Sequence, residues 1–499
     1  MKRIPVLLFA AMPVLFLLVY HRTFQGEYAY LDEAQQLWQN QDGSNYSMFL
    51  VQGRSLTGRV LEYLFGSVTT IADLRYLRLF SLAGWILTAA TWLVLMRKWI
   101  TGFSLDRHVL LPALVFFVCS PAVAISIGWA SCAEIFIATL FGLLSGAIVF
   151  GAVGPGLDPQ KPPMTRILVG MVFGVCSLFL YQNSFGIFLL PFILALFTDK
   201  SLPGRRRTNT SGIVIYLLIY AVYFLMFRYQ LKGDSILRAD RAAMTTDPLS
   251  KLLFFFSGPL PKAFSLNVLY NTRSILMQVI APVLMILFAI SLFIRYKHNG
   301  WKRNCSMLLL LMALLALVYL PSLAVQENFS SYRTMFAFSL TVTLLLLVQL
   351  FYFIRNTSAK LVISLTLCAF MLGVGYFNYN NQFSIPLENE YRALRQHFHN
   401  GYDRGKKQVY FIRPDKNIFS IRYGTSPVKD EFGNPSTLRD WVPEPLTRLI
   451  VREETHNQSV AASIRVIQFP DRLSFDQSGF TLDSSSLLVP MDSLIVAGK

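Results

Sequence analysis

The sequence predicts a polytopic α-helical membrane protein with about eleven transmembrane helices and a small domain at its C-terminal end. Three observations predict this fold class. Hydrophobic residues make up 54% of the 499 residues, charged residues only 15%, and the mean hydropathy is +0.46. Apolar runs of about 20 residues, the length that crosses a bilayer, recur along the chain. Lys and Arg fall in short clusters between those runs, as they do in membrane proteins of defined topology.

The candidate spans set the boundary of a membrane domain over residues 1–378. They are residues 4–20, 77–96, 109–127, 134–152, 167–181, 185–198, 212–229, 274–295, 305–325, 335–354 and 361–378. The segments at 167–181 and 185–198 are short for a full crossing. Two long loops, 21–76 and 230–273, interrupt the apolar pattern on the same predicted side.

The basic clusters predict the orientation. If Lys2 and Arg3 are cytoplasmic, every later basic cluster between spans is cytoplasmic as well, in agreement with the positive-inside rule. The net charge of +17 is then a topology signal, and we expect no nucleic-acid partner. We expect a multi-pass protein of a bacterial inner membrane, with a cytoplasmic N-terminus, an uncleaved first span and an extracytoplasmic C-terminal domain.

The chain after residue 378 changes character. The stretches "KKQVYFIRP", "ASIRVIQF" and "SSLLVPMDSLIVAG" alternate or carry β-branched runs between turn residues, as strands do. Residues 379–499 are therefore predicted to form a small α+β or mostly β domain.

The first outer loop opens with "YLDEAQQLWQNQ", which carries the adjacent acids Asp32 and Glu33. The apolar positions at helical spacing are Leu31, Ala34, Leu37 and Trp38. This pattern predicts an amphipathic helix lying in the membrane interface. Adjacent residues point roughly 100° apart around a helix, so the two acids are not a pair that shares one proton. Asp32 lies on the polar face, toward water or a cavity.

Several charged residues in the outer loops are candidates for binding an anionic substrate. Arg54 and Arg59 each follow a glycine in "GRSLTGRV", and Glu327, Tyr332 and Arg333 lie in the outer turn "QENFSSYRTMF". Arginines on this side suit phosphate groups of a lipid or a substrate. Two structural alternatives stay open: Arg333 pairs with Glu327, or the arginines contact lipid headgroups.

Glu134 lies at the outer start of the fourth span, in "GWASCAEIF". Charged residues in membrane segments usually pair or line a pathway, which makes Glu134 a further candidate binding residue. The structural alternative is a carboxylate favoured by the positive end of a helix. The sequence carries no phosphate-binding loop and no Cys or His pattern with metal-ligand spacing.

Taken together, the first span, the outer loop opening with "LDEAQQLW", about ten further spans and the outer C-terminal domain resemble the GT-C superfamily of membrane glycosyltransferases. That group includes the protein O-mannosyltransferases, the aminoarabinose transferase of lipid A and the bacterial O-antigen glucosyltransferases. The Asp-Glu pair is the most specific element. "GRSLTGRVLEYL" looks like the Gly-Arg segment of the glucosyltransferase branch, and "SYRTMFAFSL" like a late-loop Arg that contacts donor phosphate.

The resemblance implies a polyprenyl-phosphate-linked sugar donor, a glycan, lipid or protein acceptor, and Asp32, with Glu33 beside it, as the catalytic acids. It implies no certain cofactor and leaves a divalent cation open. The residues fit this chemistry independently, because sugar transfer needs a carboxylate to take the acceptor proton and cations to stabilise the departing phosphate. The alternatives are a flippase or transporter of lipid-linked glycans, or a polymerase or ligase of such glycans.

Overall fold

The computed structural model describes residues 3–41, 46–154, 163–198, 205–231, 243–270, 275–428 and 431–497. Within these ranges, eight helical segments are long and apolar enough to cross a membrane, and shorter apolar helices cover Leu8–Phe24, Met164–Leu180 and Gln182–Ala195. Each predicted span falls on one of these long or short helices. The chain is thus a helical protein of the multi-pass membrane type, while the number of crossings stays a prediction.

The helices of the first part of the chain alternate between long apolar elements and short elements in the connecting loops. They are α1 Arg3–Tyr20, α2 Asp32–Gln41, α3 Ser47–Val51, α4 Ser55–Gly66, α5 Leu74–Gly102, α6 Leu110–Val118, α7 Pro121–Gly128, α8 Glu134–Val153, α9 Met164–Leu180, α10 Leu190–Ala195, α11 Arg205–Gln230, α12 Pro248–Ser257, α13 Pro259–Ala263, α14 Ile275–Arg295, α15 Trp301–Val318, α16 Leu320–Ala324, α17 Tyr332–Phe353 and α18 Thr357–Tyr379.

A break divides one apolar segment into α6 and α7. Ser120 is extended, with ψ 134°, because the residue before a proline is disfavoured in the α conformation. The break frees backbone carbonyls inside an apolar region, where they need new donors. Asn267 Nδ2 donates to the carbonyl of Phe116 at 3.0 Å, and the Tyr20 hydroxyl donates to that of Val118 at 2.7 Å. Side chains from two distant segments therefore stabilise the break.

The C-terminal part continues directly from α18 through a π-helical turn, Asn380–Ser384. Its helices are α19 Ile385–Gly401, α20 Ile418–Tyr423, α21 Pro443–Thr455, α22 Gln458–Ser463, α23 Arg472–Gln477 and α24 Met491–Ala497, and its strands are β1 Gln408–Ile412, β2 Arg465–Phe469 and β3 Ser486–Pro490. The strands lie where the sequence pattern predicted strands. They form a parallel sheet in the order β2-β1-β3. Parallel strands need crossover connections, and helices supply them here, so the described tail mixes helices and strands and is not mostly β.

Helix α2 forms where the amphipathic pattern predicted it, but its apolar side is covered by protein. Leu37 is fully buried and Trp38 is 5% exposed, and α2 packs on α4 and α21. The expectation that this side lies in the membrane interface is therefore wrong. Periodicity reveals an apolar stripe, but a helix of the C-terminal part buries it as well as lipid would.

Candidate functional site

Glu33 anchors the start of α2 in the protein interior. Its carboxylate is fully buried and accepts a hydrogen bond from Arg78 Nη2 at 2.6 Å. The backbone N–H groups of Tyr30, at 2.7 Å, and Ala130, at 2.5 Å, donate to it as well. Burial raises the pKa of Glu33 above its usual range, while Arg78 and these donors act in the opposite direction. Buried charges persist only when they are paired and hydrogen-bonded in this way.

Arg78 also contacts the loop that precedes α2. Its Nη2 donates to the carbonyl of Tyr28 at 2.7 Å and its Nη1 to that of Gly26 at 3.3 Å. The guanidinium also lies 3.7 Å from the centre of the Tyr28 ring, a cation–π contact. The Glu33–Arg78 pair therefore fixes the backbone on the N-terminal side of Asp32.

Asp32 itself is only partly buried, as the first residue of α2. Trp441 Nε1 donates a hydrogen bond to Asp32 Oδ1 at 3.0 Å. The residue before it, Leu31, has a φ of +46°, a left-handed conformation that is costly for a bulky side chain. Backbone strain of this kind clusters at functional sites, and here it lies directly before Asp32.

Arg54 and Glu134 form an ion pair at the start of α8. Glu134 is fully buried. Arg54 also donates from Nε to the carbonyl of Leu180 at 3.3 Å and stacks on the Tyr181 ring at 4.8 Å. The positive end of α8 is therefore not the only group that stabilises the Glu134 carboxylate, because Arg54, a candidate binding residue from the sequence, pairs with it.

Arg333 lies at the start of α17 against the same turn. Its guanidinium stacks on Trp129, 4.6 Å from the ring centre, and its Nη1 reaches Cys132 Sγ at 3.8 Å. The carboxylate facing it is Glu431, with 4.0 Å between Nε and Oε1. These polar contacts are long for an arginine, and the side chain is 15% exposed, which makes this guanidinium accessible to an anionic group.

The turn between α7 and α8, residues 129–134, is where these elements meet. Ala130 binds Glu33, and the Ser131 hydroxyl donates to Gln36 Oε1 at 2.6 Å. The Arg333 guanidinium stacks on Trp129, and Arg54 forms an ion pair with Glu134. Both guanidinium groups also interact electrostatically with the Glu134 carboxylate. The structure thus brings the Asp32 turn, Arg54, Glu134 and Arg333 around one short segment, named here the 129–134 turn.

Three buried polar atoms beside the 129–134 turn have no hydrogen-bond partner in the described part of the chain. They are Gln36 Nε2, Trp129 Nε1 and Glu134 Oε2. Buried polar groups are nearly always hydrogen-bonded in proteins, so each exception calls for an explanation. Two donors and one acceptor in this region suit a bound water.

Tyr332 belongs to a neighbouring crevice. Its backbone N–H donates to Glu431 Oε2 at 2.7 Å, its hydroxyl accepts from the backbone of Tyr270, and Lys262 Nζ lies 4.9 Å from its ring centre. A small crevice, with room for about one water molecule, lies between Lys262, Tyr332 and the α6–α7 break. Burial lowers the pKa of Lys262, and the Glu431 carboxylate opposes this. Burial in turn raises the pKa of Glu431, against Arg333 and its backbone donors.

Two predicted site residues lie elsewhere. The Arg59 side chain is 82% exposed and pairs with Glu62 on α4 at 3.2 Å. Glu327 lies in the turn between α16 and α17, where its backbone carbonyl accepts from Lys251 Nζ at 3.0 Å. The structure gives Arg333 a carboxylate partner from the C-terminal part, Glu431.

The sequence did not identify Lys262, Glu431 or Trp441, which contact predicted site residues, or Ser436, which contacts the backbone directly before Asp32. Glu431, Ser436 and Trp441 come from one segment of the C-terminal part. Their neighbours in the sequence form no motif with a known chemical role. Only their contacts with residues far away in the sequence identify them.

No group of three or more His, Cys, Asp or Glu side chains in the described ranges is arranged to hold a metal ion. Glu33 and Glu134, the acids that contact or belong to the 129–134 turn, are each engaged with an arginine or a backbone donor.

No model of a known protein family matches this chain, and no curated protein matches it. The resemblance to the membrane glycosyltransferases therefore stays a prediction.

Proposed function

We propose that this protein is a membrane glycosyltransferase that moves a sugar from a polyprenyl-phosphate donor to a hydroxyl group of a glycan, lipid or protein acceptor. The observation that carries the proposal is the convergence at the 129–134 turn. Two arginines and unpartnered buried polar atoms lie around it, and Glu33 ties to it the strained turn that carries the partly exposed Asp32 carboxylate. This combination suits a reaction in which a proton leaves a hydroxyl while a phosphate departs.

Asp32 is the proposed general base. In the reaction, the acceptor oxygen forms a bond to the anomeric carbon, and the bond from that carbon to the phosphate oxygen breaks. The hydroxyl proton passes to Asp32, and the bonding electrons leave with the polyprenyl phosphate. Glu33 suits the base role less well, because Arg78 and two backbone donors occupy its buried carboxylate. Its proposed role is to hold the turn that carries Asp32.

Arg333 is the proposed partner of the departing phosphate, and Arg54 with Glu134 supports it. Arg333 is accessible and preoriented by its stacking on Trp129, and a planar guanidinium matches phosphate oxygens with two parallel hydrogen bonds. Glu134 partly neutralises Arg54, so Arg54 is better suited to hold Glu134 and shape the site than to bind a second anion.

The proposed location is the outer face of a bacterial inner membrane. The basic clusters favour an orientation in which the loops that carry Asp32, Arg54 and Arg333 lie on the side opposite the cytoplasm. A nucleotide sugar is not available there, whereas a polyprenyl chain remains in the lipid while its phosphate reaches the site. The same orientation puts the C-terminal part outside the cytoplasm.

The test compares Asp32→Asn with wild type in membranes supplied with synthetic polyprenyl phosphates carrying glucose, mannose or aminoarabinose. Release of polyprenyl phosphate reports turnover. We expect Asp32→Asn to lower the rate by at least about 100-fold, because the amide cannot accept the proton, with unchanged protein in the membrane. Asp476→Asn, on the surface of the C-terminal part with an exposed side chain, is the matched control.

Wild-type turnover in Asp32→Asn would remove the base role from Asp32. If the wild-type protein instead moves an intact glycolipid across the bilayer of proteoliposomes without releasing polyprenyl phosphate, the result supports the alternative of a flippase.

A further inference from the structure

We infer that residues 431–441 of the C-terminal part form one wall of the site and that Ser436 is a positioning residue for Asp32. This inference rests on the proposed function for its catalytic consequence, but its structural content is independent of it. The segment touches both halves of the proposed chemistry: Trp441 contacts Asp32, and Glu431 contacts Arg333.

Ser436 holds the strained residue that precedes Asp32. Its Oγ accepts a hydrogen bond from the Leu31 backbone N–H at 2.9 Å and donates to the Ala29 carbonyl at 3.1 Å. Leu31 is 3% exposed and has a φ of +46°. An isolated leucine avoids this conformation, so the surrounding contacts must impose it. A single hydroxyl bridging Ala29 and Leu31 does so directly, and it thereby sets where α2 begins and where the Asp32 side chain projects.

Ser436 is itself held from α19. The buried carboxylate of Glu390 accepts from the backbone N–H groups of Ser436, at 2.9 Å, and Thr437, at 3.0 Å, and from the Thr437 hydroxyl at 2.5 Å. Three donors on one carboxylate leave the 436–437 backbone little freedom. The chain of contacts therefore runs from Glu390 through Ser436 to the strained turn and Asp32.

The other end of the segment reaches the proposed phosphate partner. Glu431 accepts from the backbone N–H groups of Tyr332, at 2.7 Å, and Arg333, at 3.0 Å, at the first turn of α17. The same carboxylate faces the Arg333 side chain. One segment thus ties the start of α2 to the start of α17, and the distance between base and cation depends on it.

The first test measures hydrogen–deuterium exchange of the full-length protein in detergent. In Ser436→Ala, the Leu31 amide loses its acceptor, so exchange in a peptide spanning residues 28–33 should rise at least about tenfold, because a buried N–H without an acceptor destabilises the closed turn. Ser436→Thr keeps the hydroxyl and should restore slow exchange. Ser463→Ala, an exposed serine of the same part, is the control.

The second test measures turnover with the polyprenyl phosphate sugars named above. We expect Ser436→Ala to lower kcat by about 10- to 100-fold, the penalty of a displaced catalytic group, with the donor KM within about twofold of wild type. Ser436→Thr should recover most of kcat. In a Leu31→Gly background, the added loss from Ser436→Ala should shrink, because glycine adopts a positive φ without help.

Unchanged exchange at residues 28–33 in Ser436→Ala overturns the inference whatever the activity shows. Increased exchange with unchanged kcat overturns the positioning role of Ser436. If wild type transfers no sugar at all, the proposed function fails, while the exchange experiment still decides whether Ser436 holds the turn.

Discussion

Trp441 donates its indole N–H to the carboxylate of Asp32 at 3.0 Å, across 409 positions of sequence. A donor on one oxygen orients the carboxylate that is the proposed acceptor of the hydroxyl proton. Trp441 is also 41% exposed, so the indole forms part of the surface beside Asp32.

Replacement of Trp441 by phenylalanine removes the donor and keeps an aromatic ring. We expect Trp441→Phe to lower the turnover of polyprenyl phosphate sugars about 10-fold, because the Asp32 carboxylate loses a charge-assisted hydrogen bond worth on the order of 1.5–3 kcal/mol. Trp301→Phe, at an exposed tryptophan outside the site, should behave as wild type. Equal turnover in the two variants would show that Asp32 needs no donor from the indole.

The Glu33–Arg78 pair should be among the most costly polar contacts to break. Removing one member of a buried ion pair costs about 3–5 kcal/mol, because the other charge is left unpaired in the interior. We expect Glu33→Gln to lower the thermal unfolding midpoint in detergent markedly. The control is Glu62→Gln, which breaks an exposed pair with Arg59 of the kind worth about 0–1 kcal/mol. Similar midpoints for the two variants would contradict the structural role of Glu33.

Arg333 should not tolerate lysine. A lysine ammonium keeps the charge but lacks the planar group that stacks on Trp129 and binds phosphate through two hydrogen bonds. We expect Arg333→Lys, like Arg333→Ala, to raise the donor KM by about 10-fold or more, the cost of on the order of 1.4 kcal/mol in binding. Arg472→Ala, at an exposed surface arginine, controls for loss of positive charge. If Arg333→Lys has the donor KM of wild type, a positive charge alone is sufficient at this position and the planar guanidinium is not required.

The pH dependence of stability should depend on Glu453. This residue of α21 accepts from the Ile71 N–H at 2.8 Å, and burial raises the pKa of Glu453 above 4.5, while Arg395 and Arg452 oppose the rise. Below pH 4.5 both the folded and the unfolded chain hold this proton. As the pH rises toward the folded pKa, only the folded chain keeps it, and stability falls.

In Glu453→Gln this contribution is absent, so the unfolding midpoint should decline less than in wild type as the pH rises from about 4 to 7. If the unfolding midpoints of both proteins change equally with pH, the pKa of Glu453 is not raised in the folded chain. Because glutamine retains an acceptor for Ile71, the comparison isolates the charge.

Close helix packing around α8 predicts opposite outcomes for two of its glycines. A Cβ at Gly146 would collide with the Phe188 backbone, whereas nothing lies within 4 Å of one at Gly151. Overpacking against backbone costs about 1–3 kcal/mol, so Gly146→Ala should lower the unfolding midpoint. Gly151→Ala should leave it unchanged or raise it slightly, since alanine is the better helix former. A loss in both would point to helix flexibility rather than packing.

Local periodicity by itself determined much of this protein. The apolar runs predicted the positions of the long and short apolar helices, the "LDEAQQLW" pattern predicted α2, and the alternating stretches predicted the three strands. It also separated Asp32 from Glu33, because successive residues of a helix face different directions. These features depend on residues a few positions apart, which a single sequence records.

Only the tertiary structure decided the partners. The apolar side of α2 meets α21 rather than lipid, Glu33 meets Arg78, and Asp32 meets Trp441. Arg59 carried the same Gly-Arg signal as Arg54, yet the turn of α4 leaves it on the surface. A residue's pattern fixes which side of its helix it occupies, but burial and ion pairing depend on which distant segment covers that side. Contacts between residues far apart in the sequence leave no local periodicity, so the segment 431–441 became visible only in the folded chain.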